Sequence, residues 1–389
     1  MQNKILIIGA GLGGLALAQG LIKDGFDVTV FERDTSPTSR PQGHRIFIRS
    51  MGIQALNALL TPEKMGRLSA AKVTDVGGGF VCANEKMEPF FSVQGQEAGA
   101  QFLRSELRNF LQEGVNIEWN KRLVKFEDNG DQVIARFEDD SSFNGDIIVG
   151  CDGGASSVRK LLPLVYKEGL GSIPKVIDSN QTVLGAQIDR TPQWERLLPL
   201  NKTGFVRFLG INSNDIGVCF SERPDRTPTI VWAVSEQIKD RNPSWYQFDH
   251  GLECRKRILE HCKQLMNIEP WHENLKKLVN DTPAEAIMAP WLIQTTQFPK
   301  SDQFPMAPTG RVTLVGDSAH AMSNARGLGG NNVLEDARLL STLIASSSKP
   351  IDWPKLIANY EREMFTRARI AVQESESAAE YFRSLRSHS

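Results

Sequence analysis

The run Ile5-Leu6-Ile7-Ile8-Gly9-Ala10-Gly11-Leu12-Gly13-Gly14 decides the architecture of this chain. Four consecutive apolar residues followed by glycines are too short for a helix and read as a buried strand. The glycines follow the spacing G-x-G-x-x-G, and residues 12–24 then place apolar side chains at helical intervals (Leu12, Leu15, Ala16, Leu17, Leu21, Ile22). Val28-Thr29-Val30-Phe31 is a second strand, ending at Glu32. Strand, glycine turn, helix and strand form the opening unit of a doubly wound α/β sheet that binds a dinucleotide. In such a unit Gly9 permits the tight turn, Gly11 lets the backbone approach a pyrophosphate, and Gly14 lets helix and strand pack closely. The free N–H groups of the helix start then face the phosphates. Glu32 can accept hydrogen bonds from both hydroxyls of a ribose. This motif alone does not separate NAD from FAD.

Two later stretches narrow the choice. Val149 to Arg159 reads VGCDGGASSVR and places Asp152 and two glycines after a buried strand. Val315 to Asn332 holds Gly316-Asp317-Ser318-Ala319-His320, then Gly327-Leu328-Gly329-Gly330-Asn331-Asn332, then a helix. Asp317 can bind a polyol hydroxyl at a strand end, and the glycines permit flat contact with a ring. The helix directs its positive end at developing negative charge, as on a reduced flavin. Asp152 and Asp317 have an alternative reading as helix caps or turn formers. The three stretches together point to FAD used for redox chemistry.

The intervening chain divides by pattern. Helical spacing covers Ile53 to Leu68, a hairpin is expected from Gly77 to Phe91, and Ser105 to Gly114 reads as a helix capped by Ser105. From about 178 to 235, short apolar runs separated by turn residues suit an antiparallel sheet. Residues 250–280 read as helical, and the chain closes with helices near 332–346 and from about Asp352 toward Tyr381. The expected fold is α/β: a Rossmann-like FAD-binding fold with an interleaved antiparallel β-sheet substrate domain and a long C-terminal helix. The expected division is 1–72, 97–177 and 284–350 for FAD, 73–96 and 178–283 for substrate, and 351–389 for the terminal helix. Phe205, Phe208, Phe220 and Trp232 lie on strands of the β-rich block and are candidates for an apolar substrate wall, with core packing as the competing role.

Composition excludes several classes. The 389 residues carry a formal net charge of −1, so no global basic field draws the chain to nucleic acid. No stretch approaches the ~18–20 apolar residues that span a bilayer. Residues 5–8 are too short an apolar run for a secretion signal. The five cysteines form no CxxC pair, which fits a reducing, cytoplasmic setting, and the scattered histidines suggest no metal site.

On these motifs the chain resembles the class A flavoprotein monooxygenases, the para-hydroxybenzoate hydroxylase-like group. It looks closest to the branch with tetracycline-inactivating and fungal secondary-metabolite enzymes. The resemblance implies non-covalent FAD, with Gly9, Gly11, Gly14, Glu32 and Arg33 at the ADP half. It implies Arg104 ahead of a helix contacting FAD, and Asp152-Gly153 serving both FAD and a transiently docked NADPH. Asp317 would bind the ribityl chain, and Gly327, Gly329, Gly330 and Asn331 would line the ring. It implies reaction of reduced flavin with O2 to a C4a-hydroperoxide, and oxygen transfer to a bulky aromatic or polycyclic natural product. Arg45, after His44, is the expected polar or mobile ring contact, with a structural ion pair as the alternative. His320 is expected to pack and fix the turn. The family usually has Pro four residues after His320; here that place is Asn324, which adds a polar side chain beside the expected oxygen pocket. Asn324 motivates an alternative: an FAD oxidase, dehydrogenase or cyclase without oxygen insertion. A monomer or weak dimer is expected.

Overall fold

The computed structural model describes residues 3–39, 45–70, 79–93, 98–198, 200, 204–211, 214–223, 226–238, 251–300 and 302–385. His44, Gly77, Gly78 and the last four residues fall outside them.

The apolar run at the start is the central strand, Lys4–Ile8, of a five-stranded sheet. Its neighbours are Ile147–Gly150 on one side and Asp27–Phe31 on the other, both parallel. Val312–Leu314 and Ile117–Glu118 complete the sheet at its edges. Parallel strands are covered on both faces and so read as continuous apolar runs rather than alternating ones. Ile5, Leu6 and Ile7 are accordingly inaccessible to solvent, each contributing roughly 1.5–3 kcal/mol of burial. The first helix, Leu12–Lys23, packs over this sheet, with Leu15, Leu17 and Leu21 buried in the same core.

The β-rich block is a seven-stranded sheet. Its order is Trp291–Gln297, Lys175–Asp189, Arg226–Gln237, Asp215–Arg223, Gly204–Leu209, Gly79–Ala83, Pro89–Val93. The last two strands form the expected hairpin, here paired antiparallel. One pairing is parallel, between Gly204–Leu209 and Gly79–Ala83, so the sheet is mixed rather than purely antiparallel. Trp291–Gln297 pairs with Lys175–Asp189, so the segment assigned by sequence to 284–350 first contributes an edge strand to this sheet. Helices Leu252–Ile268 and Glu273–Asn280 cover one face and form a second apolar core with it.

Local expectations differ from the structure at three places. The helical stretch 53–68 is two helices, Ser50–Leu59 and Pro62–Ala70, because the residue before a proline avoids the helical region. Helix Arg104–Gln112 begins one residue earlier than expected, with Leu103 at its cap position and no capping side chain, so Ser105 is not a cap. Arg45–Arg49 is a strand, paired antiparallel with Gly99–Leu103, where sequence reading placed no element.

The C-terminal helix, Trp353–Ser384, starts at Asp352, whose carboxylate accepts from Lys355 N at 3.2 Å. Its first half buries Ile357, Tyr360, Met364 and Phe365 in the core of the parallel sheet. Farther along, Glu376 accepts from Thr295 of the seven-stranded sheet, and Phe382 packs against Phe80 with ring centres 5.5 Å apart. One helix thus touches both sheets. No described helix is long and apolar enough to cross a membrane.

Candidate functional site

Three turns meet at the carboxyl edge of the parallel sheet, where open α/β sheets place their ligands. Backbone hydrogen bonds stitch them side by side: Gly9 N donates to Phe31 O (2.7 Å), Cys151 N to Ile8 O (2.7 Å) and Val315 N to Gly150 O (2.9 Å). Segments separated by more than a hundred residues therefore form one rim.

In the first turn the three glycines have distinct duties. Gly9 has φ +111°, and a Cβ there would lie 2.4 Å from Cys151 O. A Cβ on Gly14 would lie 2.1 Å from Gly9 O, so the helix can approach only without a side chain. A Cβ on Gly11 would meet nothing within 4 Å. Gly11 is the open position, and helix Leu12–Lys23 above it starts without a capping side chain. This is the arrangement an anionic pyrophosphate needs. Glu32 is buried, accepting from Ala10 N at 2.8 Å and from Asp34 N at 3.0 Å, which fixes the carboxylate beside the turn. Arg33 is exposed.

Arg108 locks the same turn. Its Nε donates to Ala10 O at 2.8 Å and its Nη1 to Pro37 O at 3.1 Å, while its guanidinium lies 5.6 Å from the Trp119 ring. Sequence reading missed it; the available signal was its place one helical turn after Arg104.

The second turn is spent on its own helix. Asp152 accepts from Ser156 Oγ (2.5 Å), Ser157 N (2.6 Å) and Val158 N (3.2 Å), and so backs the start of helix Ser157–Val165, whose cap residue Ser156 accepts from Arg159 N at 3.0 Å. Burial nonetheless pushes its pKa up, against those hydrogen bonds. Arg159 donates to Gly154 O and Ser318 O, tying the second turn to the third.

The third turn behaves differently. Asp317 is open to solvent and its carboxylate accepts no hydrogen bond among the described residues. The surrounding protein raises its pKa, while His320 and Arg104 oppose that shift. Arg104 is thus placed near Asp317, at the start of its helix. Gly329 lies alongside: a Cβ there would be 3.8 Å from Asp317 Oδ1. Helix Gly329–Ser346 begins at this point without a capping side chain, and Gly327 before it is left-handed (φ 62°, ψ 31°). Gly330 packs against Ile46, where a Cβ would come within 2.5 Å. Asn331 is fully buried; it accepts from Arg49 N at 2.8 Å and donates to Phe47 O and Gly327 O, so its side chain braces the loop. Asn324 opens a short 3-10 turn, Asn324–Arg326, and is exposed.

Arg45, in the strand Arg45–Arg49 that pairs with Gly99–Leu103, lies near Cys219 of the seven-stranded sheet. Its Nη1 donates to Gln101 Oε1 at 2.8 Å, and its Nε and Nη2 are buried. Its charge partly offsets the rise that burial imposes on the Cys219 thiol. Cys219 is opposite Phe205 in register, and Phe205 is 38% exposed. Phe205 stacks beside Phe80, 5.6 Å between centres. The other three proposed wall residues point elsewhere. Phe208 and Trp232 are fully buried and Phe220 nearly so, all in the helix-backed core. Trp232 Nε1 donates to Thr282 Oγ1 at 2.9 Å. They are core residues, because strand alternation sends them to the face that the two helices cover.

The turns, the two uncapped helix starts and the open carboxylate fit FAD, and with this fold they define a flavin-binding oxidoreductase. Residues 2–263 and 268–375 match the family described as FAD binding domain, and the chain belongs to that family. It is similar to a FAD-dependent monooxygenase from Trichoderma harzianum, 30% identical across 95% of this chain and 91% of the relative. It is also similar to the chloroplastic zeaxanthin epoxidase of Oryza sativa subsp. japonica, 28% identical across 95% of this chain and 54% of that protein. A solved FAD-containing monooxygenase from Photorhabdus luminescens subsp. laumondii superposes with a TM-score of 0.76 at 26% identity, covering 99% of this chain and 98% of the other. The chain is an FAD-dependent monooxygenase.

Proposed function

We propose that this enzyme inserts one atom of O2 into an electron-rich carbon of a bulky aromatic or polycyclic natural product, by hydroxylation or epoxidation, with NADPH as a transient reductant. The observation that carries this reading is the third turn. Asp317, whose carboxylate accepts no hydrogen bond among the described residues, stands beside the uncapped start of helix Gly329–Ser346. FAD, when bound, supplies the electron transfer and the activation of O2. The balance is substrate, O2, NADPH and a proton in; oxygenated substrate, NADP+ and water out.

The chain's own residues would bind, orient and seal. The Gly11 turn would take the pyrophosphate, with Gly9 and Gly14 shaping it, and Glu32 the ribose hydroxyls, with Arg33 beside them. Asp317 would hold the ribityl hydroxyls, with Arg104 nearby. Gly327, Gly329 and Gly330 would lie against the ring. The positive end of helix Gly329–Ser346 would stabilise negative charge on the reduced ring. The face of the seven-stranded sheet that carries Phe205 and is approached by Arg45 would cover the substrate and exclude water, which limits loss of oxygen as peroxide. NADPH would dock near Gly153, which has φ +79° and open space around it. The plant relative's name, zeaxanthin epoxidase, supports epoxidation as one form of the oxygen transfer. We place the enzyme in the cytoplasm as a monomer or weak dimer, with the division into FAD and substrate units as read from sequence.

The test is NADPH oxidation under 18O2 with a panel of phenols, indoles and polyketides, scoring labelled product against peroxide. Substrate-stimulated turnover with one labelled oxygen in the product is expected. Stimulated turnover with unlabelled product would overturn the reading and favour an oxidase, dehydrogenase or cyclase, for which the exposed Asn324 would be the first residue to revert to proline.

A further inference from the structure

The C-terminal helix Trp353–Ser384 contributes nothing to the three sequence motifs, yet one of its arginines is wired into the third. Arg367 Nη2 donates to Asp336 Oδ1 at 2.5 Å, and its Nη1 donates to Asn332 Oδ1 at 2.7 Å. Asp336, inaccessible to solvent, uses its other oxygen twice. Oδ2 accepts from Gly316 N at 2.8 Å and faces His320 Nε2 at 2.6 Å. An ionised Asp336 can only accept, so Nε2 carries the hydrogen. One carboxylate therefore grips the residue before Asp317 and the residue three after it. Arg367 in turn grips that carboxylate and the second turn of the helix whose start stands beside Asp317.

The alternatives for Asp336 are poor. Burial acts to raise its pKa, but His320 and Arg367 outweigh burial and bring it down to about 2. The carboxylate stays charged, and the side chain closest to supplying a full counter-charge comes from a helix outside the motifs.

We propose that Arg367 is a positioning residue for FAD: by clamping Asp336 and Asn332 it sets the direction of Asp317 and of the start of helix Gly329–Ser346, so that docking of the C-terminal helix controls cofactor loading. The inference rests on the reading that this opening binds FAD. Arg367 itself touches no part of the proposed cofactor contacts.

The experiment measures FAD affinity of the deflavinated protein by quenching of flavin fluorescence, beside the melting temperature of the same apoprotein. Three variants are used: Arg367→Lys, Arg367→Met and the double variant Arg367→Met/Asp336→Asn. Arg367→Met strands a buried charge and will lower the apoprotein's stability on that account. The other two keep the charge balance and preserve folding. Expected for both is an apoprotein that melts close to wild type; in the double variant FAD affinity weakens about tenfold, the size of one lost charge-assisted hydrogen bond, and the visible flavin band shifts. Lysine is expected to recover part of the loss, since it restores charge but not the two-pronged grip. Wild-type affinity and an unmoved flavin band in both balanced variants would overturn the proposal. Failure of the wild-type apoprotein itself to bind FAD would instead sink the reading beneath it.

Discussion

The turn after Ile147–Gly150 and the turn after Val312–Leu314 look alike in sequence. Each follows a buried parallel strand, each carries a glycine and an aspartate, and each leads into a helix. In space they do opposite things. Asp152 spends both oxygens on its own helix start. Asp317 is left facing solvent while the turn around it is braced from behind by Asp336, Thr313 and the C-terminal helix. A carboxylate that satisfies its own backbone has little acceptor capacity left to offer, whereas one held in place by its neighbours, with its own acceptors unspent, is the one we propose for a ligand.

The bracing behind the third turn offers the largest effect. Glu361 of the C-terminal helix is inaccessible to solvent and, among the described residues, accepts only from neutral donors, Thr313 Oγ1 at 2.8 Å and Met306 N at 2.7 Å. Burial pushes its pKa up from 4.5 to about 8, the reverse of Asp336, which has the Arg367 guanidinium as a partner. Between these values the unfolded chain has lost its proton and the folded chain retains it. Stability from this group is therefore complete below about pH 4.5 and drains away as pH rises toward 8, with a slope of up to ~1.4 kcal/mol per pH unit. Glu361→Gln should flatten that slope and be the more stable protein near pH 8. Urea unfolding of both proteins across this range checks it; parallel slopes would show that Glu361 is not the buried acid described.

Asp317→Ala comes next. Loss of a charge-assisted contact costs roughly 1.5–3 kcal/mol, so FAD should bind about 10- to 100-fold more weakly, with apoprotein stability unchanged or improved because no partner is lost. Asp152→Ala should leave FAD affinity within about threefold, a shift well under 1 kcal/mol. Equilibrium dialysis of FAD with both variants would break the comparison if the two losses were equal.

Much of the rim was legible in the sequence because it depends on local pattern. The strand of Ile5 to Ile8, the glycine spacing and Glu32 are consecutive features, and each glycine's position follows from its own neighbours. What was not legible depends on distant partners. Asp152 finds its partners close by, from Ser156 onward, and its capping alternative was legible; the bracing of the Asp317 turn was not, because it comes from Asp336, twenty residues on from Gly316, and from the C-terminal helix. The ribbon strand Arg45–Arg49 carries arginines at both ends and needs Gly99–Leu103, fifty residues away, to pair with. Alternation along Gly204–Leu209 predicts two faces, but which face is core is decided by helices Leu252–Ile268 and Glu273–Asn280. Phe205 and Phe208 were therefore indistinguishable until those helices were placed.

The smallest effect separates capping from charge in the second turn. Asp152 serves helix Ser157–Val165 through two backbone N–H groups and the Ser156 hydroxyl. Alanine removes both acceptor oxygens, and with them three hydrogen bonds, and should cost about 1 kcal/mol, comparable with a lost cap. Asparagine keeps an acceptor oxygen without the charge and caps about as well as aspartate. Burial already works against the ionised form here, so Asp152→Asn should recover most of the stability lost in Asp152→Ala. Thermal melts of the two variants at neutral pH decide the point. If asparagine were as damaging as alanine, the negative charge itself would be needed at the second turn, and Asp152 would have to be regrouped with Asp317 as a residue kept for a ligand.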